Sequence, residues 1–193
     1  MLNTNLYNTH LGKNLGIFSE QENIELSNKL QQEFLQELFD ASGEKFIISA
    51  EHIGSLSEVH IHHLKSLLDP YALSYKIIFY VRHPIDFAVS KAQQELKRRQ
   101  SFESLIIDDI LPKYRDTIEP LANQFGKENV YIRVFNPNLF ICGDLICDFL
   151  DAIDESPALL NNRERYRKNT SLSLEAISIL SEYNKEHSPL SGS

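Results

Sequence analysis

The hydrophobic positions of this chain recur mainly at helical spacing, and the first such pattern predicts a helix over residues 23–40. Gly43 follows that pattern and is the expected C-cap. In a later helical stretch, Pro112 and Pro120 predict a kink or a break. Helices are predicted for residues 23–40, 57–68, 84–100, 102–125, 138–153 and 172–186.

Three short apolar runs predict strands at residues 45–50, 76–81 and 129–135. The second run is unbroken and rich in β-branched and aromatic residues, which predicts a central parallel strand buried on both faces. Strands that alternate with helices indicate right-handed βαβ units, so the expected fold class is α/β with a parallel sheet. Because ligands of such sheets bind beyond the carboxyl ends of the strands, the residues that follow each run are the first candidates for a site.

Length and charge narrow the class of protein. The 193 residues suffice for a single domain over 1–193, with an irregular segment over 1–20 and a flexible tail over 187–193. A net charge of −8 opposes broad binding to nucleic acid. No apolar run approaches the roughly 18–20 residues that span a bilayer. Residues 1–19 lack the apolar core of a signal peptide, so the expected location is the cytoplasm.

The cysteines and histidines give little evidence of a metal or a disulfide. Cys142 and Cys147 are five residues apart in a predicted helix and therefore point from different faces, so we expect buried thiols and no bond between them. His60 and His63 share a helix face, but no Cys, Asp or Glu pair stands at a spacing that would complete a zinc site. A half-exposed helix surface is the preferred interpretation.

Arg82 and Ser90 form the strongest candidate for chemistry. Arg82 leaves the end of the predicted strand 76–81, and Ser90 lies in the helix that begins near Pro84. A guanidinium can hold a phosphate through two parallel hydrogen bonds, and the start of a helix favours an anion. The alternative interpretation is a surface ion pair between Arg82 and Asp86.

The order of strand, arginine, proline and serine resembles the 3′-phosphate-binding motif of sulfotransferases. This resemblance, which covers about residues 46–184, implies a three-layer α/β/α fold with P-loop NTPase-like topology. It also implies 3′-phosphoadenosine 5′-phosphosulfate as the co-substrate, no metal, and an acceptor hydroxyl or amine on a small molecule or glycan. Arg82 and Ser90 would bind the 3′-phosphate of the donor.

The resemblance extends to a catalytic base and to a basic loop. Glu51 follows the predicted strand 45–50, where heparan-sulfate-type and bacterial members carry a glutamate base, while a structural role at the strand end is the alternative. His52 is the second candidate, because cytosolic sulfotransferases use a histidine. Arg167 and Lys168 would bind the nucleotide from the late loop, although Asn169 stands where many members have glycine. The alternative is a solvated loop in which Thr170 or Ser171 caps the last helix.

One expected motif is missing from the sequence. Sulfotransferases begin with a strand and a Pro-Lys-x-Gly-Thr-Thr-type loop that holds the 5′-phosphosulfate, and residues 10–18 do not match it. We therefore expect a fragment or a truncated relative, with slow transfer at best. A P-loop kinase-like protein, or a non-catalytic module that binds a nucleotide or a glycan, are the alternatives. The sequence leaves the oligomeric state open.

Overall fold

The computed structural model describes residues 16–98, 100–160 and 172–187, without the side chains of Glu51, His52 and Leu159. Its helices are α1 (Glu20–Asp40), α2 (Glu58–Leu68), α3 (Pro84–Lys97), α4 (Ile107–Ile110), α5 (Tyr114–Phe125), α6 (Leu145–Ala152) and α7 (Leu174–Glu186). The strands are β1 (Ile77–Val81) and β2 (Val130–Val134). Short 3₁₀ turns occupy Glu51–Ser55, Phe102–Ser104, Lys127–Asn129, Ile141–Gly143 and Pro157–Leu160.

The described part is a mixed α/β structure that consists mostly of helices, with one small parallel sheet of two strands. The pairing continues just past the strands, where the Phe135 N–H donates to the Val81 carbonyl at 2.7 Å. Every residue of β1 is half-buried rather than buried, and among the described residues β1 pairs with β2 alone, so the prediction of a central strand buried on both faces is not confirmed. The strands predicted at 76–81 and 129–135 are confirmed to within a residue or two.

The strand predicted at residues 45–50 is wrong. These residues form no strand, and Phe46, Ile47 and Ile48 are exposed by 44%, 58% and 41%. An apolar run favours extended backbone, but a strand also needs a neighbour that accepts and donates its ladder hydrogen bonds. The sequence pattern contains no information about that neighbour.

Side-chain caps decide where α1 begins. The Ser19 hydroxyl accepts the Glu22 N–H at 3.2 Å, and the Glu22 carboxylate accepts the Ser19 N–H at 2.9 Å. This capping box moves the start of the helix three residues ahead of the predicted position 23. The helix ends at Asp40 with Ala41 in extended conformation, so the prediction that Gly43 is the C-cap is wrong.

The chain divides into two compact units, and the first comprises the residues up to Ile77 together with Arg115–Val130. Its core contains Ile61 of α2 with Leu121 and Phe125 of α5, and all three are at least 94% buried. Burial of one such side chain stabilises the fold by about 2 kcal/mol. The helix predicted at 57–68 is confirmed as Glu58–Leu68, with Ser57 as its N-cap.

The second unit comprises Ile78–Tyr114 and the residues from Tyr131 onward. Buried Asn184 of α7 donates to the carbonyls of Leu96 and Gln100, both at 2.7 Å, and so fixes the last helix to the end of α3. Helix α3 begins at Pro84 as predicted and ends at Lys97 rather than near 100. The N-cap of α7 is Ser173, so the alternative caps Thr170 and Ser171 are wrong.

Two other predicted helices are shorter than expected. The one predicted at 138–153 begins only at Leu145, because Cys142 adopts a left-handed conformation with φ 55° and Asp144 caps the new start. Cys142 is exposed and Cys147 is buried, and no disulfide joins them, so the expected burial holds for the second alone. The stretch 102–125 breaks near Pro112 as predicted.

Helix α5 continues through Pro120, where a break or kink was also expected. Within the three described ranges, no helix combines the length and apolar character required to cross a membrane.

Candidate functional site

Arg82 lies directly beyond the carboxyl end of β1, and one tyrosine binds both of its backbone groups. The Arg82 N–H donates to the Tyr114 hydroxyl oxygen at 2.8 Å, and that hydroxyl donates to the Arg82 carbonyl at 2.7 Å. In a strand, these two groups point to the same side and normally bond to the backbone of a neighbouring strand. Tyr114 replaces such a neighbour with its side chain.

The Tyr114 ring is itself held by aromatic contacts. Phe79 of β1 and Phe87 of α3 meet it edge to face, with ring centroids 6.2 and 6.0 Å away. Such pairs contribute about 0.5–1.5 kcal/mol each beyond their burial. Tyr114, the first residue of α5, therefore contacts both β1 and the helix that follows it.

The guanidinium of Arg82 lies over the ring of Phe135, 5.3 Å from its centroid. This contact uses the face of the guanidinium, and among the described residues the N–H groups at its edge form no hydrogen bond, so they are available to an anion. Among the residues that the structure describes, Arg82 makes no ion pair with Asp86, so the alternative interpretation is not found.

Helix α3 follows Arg82 immediately. His83 is its N-cap and accepts the Ile85 N–H on Nδ1 at 3.3 Å, while Pro84 occupies the first helical position. Ser90 is half-buried in the second turn, and the helical period places it on the same face as His83 and Phe87. Within the described part of the chain, the Ser90 hydroxyl forms no hydrogen bond. The structure thus places Arg82 and Ser90 on one strand–helix unit.

The other predicted site residues are described only in part or not at all. Glu51 and His52 open a 3₁₀ turn, Glu51–Ser55, directly after the extended segment 45–50. Arg167 and Lys168 lie outside the described residues. The expected base and the expected basic loop therefore remain predictions.

The sequence pattern did not predict a polar network around Tyr80, which lies two residues before Arg82 and contacts the same Phe135 ring. Asp148 of α6 is 3% exposed and accepts the Tyr80 hydroxyl at 2.7 Å and the Ile141 N–H at 3.2 Å. Arg133 of β2 pairs with the same carboxylate at 2.8 Å and with Asp151 at 3.0 Å. A tyrosine and an arginine inside apolar strand runs were the only signal, because their partners lie 68 and 15 residues away.

The hydrogen bonds and charges of this network favour the charged form of Asp148 and the neutral form of Tyr80. Burial acts to raise the pKa of Asp148, but the Tyr80 and Ile141 hydrogen bonds and the charge of Arg133 together hold it below its usual value. Burial and the hydrogen bond to Asp148 raise the pKa of Tyr80. Near neutral pH the carboxylate is charged and the phenol is not, which suits a structural network better than a catalytic one.

One cavity of the second unit lies away from Arg82. It has a volume of about 310 Å³ and is lined by Lys91 and Glu95 of α3 and by Gln100, Ser104, Leu105, Ile106, Asp109 and Ile110. Lys91 and Glu95 form an ion pair of 3.1 Å inside it. Because the lysine is already paired and two carboxylates line the walls, this cavity is a poor site for an anion.

Within the described ranges, no group of three or more metal-binding side chains occurs. Two histidines of α2 have side-chain partners: His60 Nδ1 lies 3.0 Å from the Ser57 hydroxyl, and His62 Nδ1 lies 3.1 Å from the Gln124 side-chain oxygen. His63 Nε2 is buried without a hydrogen-bond partner among the described residues.

Comparison of the chain with protein-family models, curated proteins and solved structures finds no match.

Proposed function

We propose that this chain is a sulfotransferase-like domain that binds 3′-phosphoadenosine 5′-phosphosulfate at the end of β1. The acceptor would be a hydroxyl or an amine of a small molecule or a glycan. The proposal includes a finer fold, a three-layer P-loop-like arrangement, and the mixed α/β structure with its small parallel sheet is compatible with it.

One observation supports the proposal most: a guanidinium without an ion pair among the described residues stands between the end of a parallel strand and the start of a helix. Arg82 is stacked on Phe135 rather than paired with Asp86, and Ser90 lies on the following helix without a described partner. Parallel sheets bind ligands at this position. Two hydrogen bonds from Arg82, one from Ser90 and the dipole of α3 would together hold the 3′-phosphate.

Transfer itself would need a base, and we assign that role to Glu51, with His52 as the alternative. The acceptor oxygen attacks sulfur while its proton passes to the base, and the bond from sulfur to the bridging phosphate oxygen breaks. Adenosine 3′,5′-bisphosphate leaves with the electron pair of that bond. Base assistance of this kind contributes roughly 10²–10⁴ in rate. Arg167 and Lys168 would bind the nucleotide.

The sequence lacks the loop that normally binds the 5′-phosphosulfate, so we expect this polypeptide to bind the donor weakly and to transfer sulfate slowly. Measured turnover at the rate of complete sulfotransferases would contradict that expectation.

A thermal-shift titration tests the nucleotide assignment. We expect adenosine 3′,5′-bisphosphate to raise the melting temperature, since a ligand that binds only the folded state stabilises it. ATP should raise it less, and the shift should disappear in Arg82→Ala. A larger shift with ATP would favour the kinase-like alternative.

The second candidate function is a non-catalytic module that keeps the anion site. It is favoured by the segment 45–50, which precedes Glu51 and is an exposed extended stretch rather than a strand that would hold a base in place. Bisphosphate binding that survives unchanged in Glu51→Gln, without any measurable transfer by the wild type, would support this candidate.

A further inference from the structure

The orientation of Arg82 depends on a residue that no sequence motif marked. Arg82 lies one residue beyond the end of β1, and within the described ranges no strand pairs with its N–H and carbonyl. Both groups bind the single hydroxyl of Tyr114, at 2.8 and 2.7 Å. Fixing the groups on either side of a Cα atom also fixes the direction in which its side chain leaves the backbone.

The opposite edge of the same strand end is fixed as well. The Val81 carbonyl accepts the Phe135 N–H at 2.7 Å, and the Phe135 ring lies beneath the Arg82 guanidinium. One edge is thus held by β2 and the other by Tyr114. The arginine leaves the backbone between these two supports.

We propose that Tyr114 is the positioning residue of the anion site, and that it acts on the ligand only through Arg82. The identity of the ligand rests on the proposed function, but the control of Arg82 by Tyr114 does not. Phe79 and Phe87 hold the ring at centroid distances of 6.2 and 6.0 Å, so Tyr114→Phe should keep its packing and lose only the two hydrogen bonds.

Tyr80→Phe is the matched control. Tyr80 lies two residues before Arg82, is also half-buried, and also loses one bonded hydroxyl, but that hydroxyl bonds to Asp148 rather than to the backbone of Arg82. Its ring contact with Phe135, at 6.5 Å, is one that phenylalanine keeps. A general loss of stability therefore affects both variants, whereas a loss of Arg82 positioning affects only Tyr114→Phe.

The first measurement is calorimetric titration of the full chain with adenosine 3′,5′-bisphosphate. We expect Tyr114→Phe to weaken binding about tenfold, the usual effect of roughly one net hydrogen bond. Tyr80→Phe should bind within about twofold of wild type, a difference of less than about 0.5 kcal/mol. Because Tyr114 acts through Arg82, the double variant Arg82→Ala/Tyr114→Phe should bind no more weakly than Arg82→Ala alone. Equal losses in both tyrosine variants, or additive losses in the double variant, would overturn the inference.

The second measurement needs no nucleotide. The ¹⁵N order parameter of the Arg82 Nε–H group should fall in Tyr114→Phe and stay at the wild-type value in Tyr80→Phe. If the wild type does not bind the bisphosphate but this difference is seen, the proposed function fails and the positioning role stands. If the nucleotide binds and the order parameter is the same in all three proteins, the positioning role is wrong and the function stands.

Discussion

At the scale of single residues, Asp148 shows how a buried charge is made tolerable. Its carboxylate receives hydrogen bonds from Tyr80, from the backbone of Ile141 and from Arg133. Burial of a lone carboxylate would cost several kcal/mol, but a full set of donors offsets most of that cost. The network ties α6 to both strands from one side chain.

We predict that Asp148→Asn lowers the free energy of unfolding by about 3 kcal/mol, the usual cost of leaving one member of a buried pair without its partner. Urea titration followed by circular dichroism measures this change. Asp151→Asn is the control, since the Asp151 side chain is 50% exposed and should lose less than about 1 kcal/mol. Equal losses in the two variants would show that Asp148 has no special role.

The same carboxylate predicts a dependence on pH. Because its pKa is lowered in the folded protein, its contribution is fully present above the pKa of the unfolded state, about 3.9, and is lost as the pH falls through the folded value. The stability difference between wild type and Asp148→Asn should therefore shrink steadily below about pH 4. Urea titrations at a series of pH values check this, and a difference that grows on acidification would contradict the direction of the shift.

At the scale of elements, the connection from α5 to β2 depends on a glycine. Gly126 follows the last residue of α5 with φ 93° and ψ 137°, a conformation that other residues rarely adopt, and a Cβ atom there would collide with the Glu128 carboxylate. The Gly126 N–H still bonds to the Ala122 carbonyl at 3.0 Å. Gly126 therefore ends the helix and leads into the 3₁₀ turn Lys127–Asn129, which precedes β2.

We expect Gly126→Ala to cost about 2 kcal/mol of stability through backbone strain. Gly43→Ala is the control, because its φ is not positive and the nearest non-bonded atom, the Lys45 carbonyl oxygen, would be 3.6 Å from the new Cβ. That variant should stay within about 0.5 kcal/mol of wild type. If Gly126→Ala is as stable as Gly43→Ala, the backbone at residue 126 is not strained by a side chain.

The elements themselves could be predicted where the signal is local. The apolar run of β1 and the proline at the start of α3 were enough to predict both elements from the sequence. The start of α1 is also encoded locally, in the capping residues Ser19 and Glu22, but the spacing of apolar residues does not show it. Residues 45–50 could not be assigned, because a strand exists only through its neighbour.

At the scale of the whole molecule, exposed apolar surface and net charge have opposite effects on the association of chains. Phe46, Ile47 and Ile48 form a consecutive exposed apolar segment, which favours association of chains. The net charge of −8 keeps molecules apart in solution.

We predict that Ile47→Lys raises the protein concentration at which aggregation begins, with a change in unfolding free energy below about 0.5 kcal/mol, because a side chain that is already 58% exposed loses little packing. Light scattering against concentration measures the first quantity and urea titration the second. Earlier aggregation of the variant, or a large loss of stability, would show that this segment is packed in solution.

The candidate site could be predicted only as far as it is contiguous in sequence. Arg82 and Ser90 lie eight residues apart on one strand–helix unit, so both could be identified from the sequence pattern. Tyr114 reaches Arg82 from 32 residues further along, and a tyrosine at the start of a helix has no distinguishing pattern. Contacts over such distances depend on the packing of elements, which hydrophobic periodicity does not encode.

Calorimetric titration with two nucleotides shows directly whether Arg82 and Ser90 bind a 3′-phosphate. Wild type should bind adenosine 3′,5′-bisphosphate at least about tenfold more tightly than adenosine 5′-monophosphate, since each charge-assisted bond contributes roughly 1.5–3 kcal/mol. Arg82→Ala should abolish that preference and Ser90→Ala should reduce it, while Asp86→Asn leaves it in place. Equal affinity for the two nucleotides in wild type, or a preference that survives in Arg82→Ala, would show that Arg82 does not bind the 3′-phosphate.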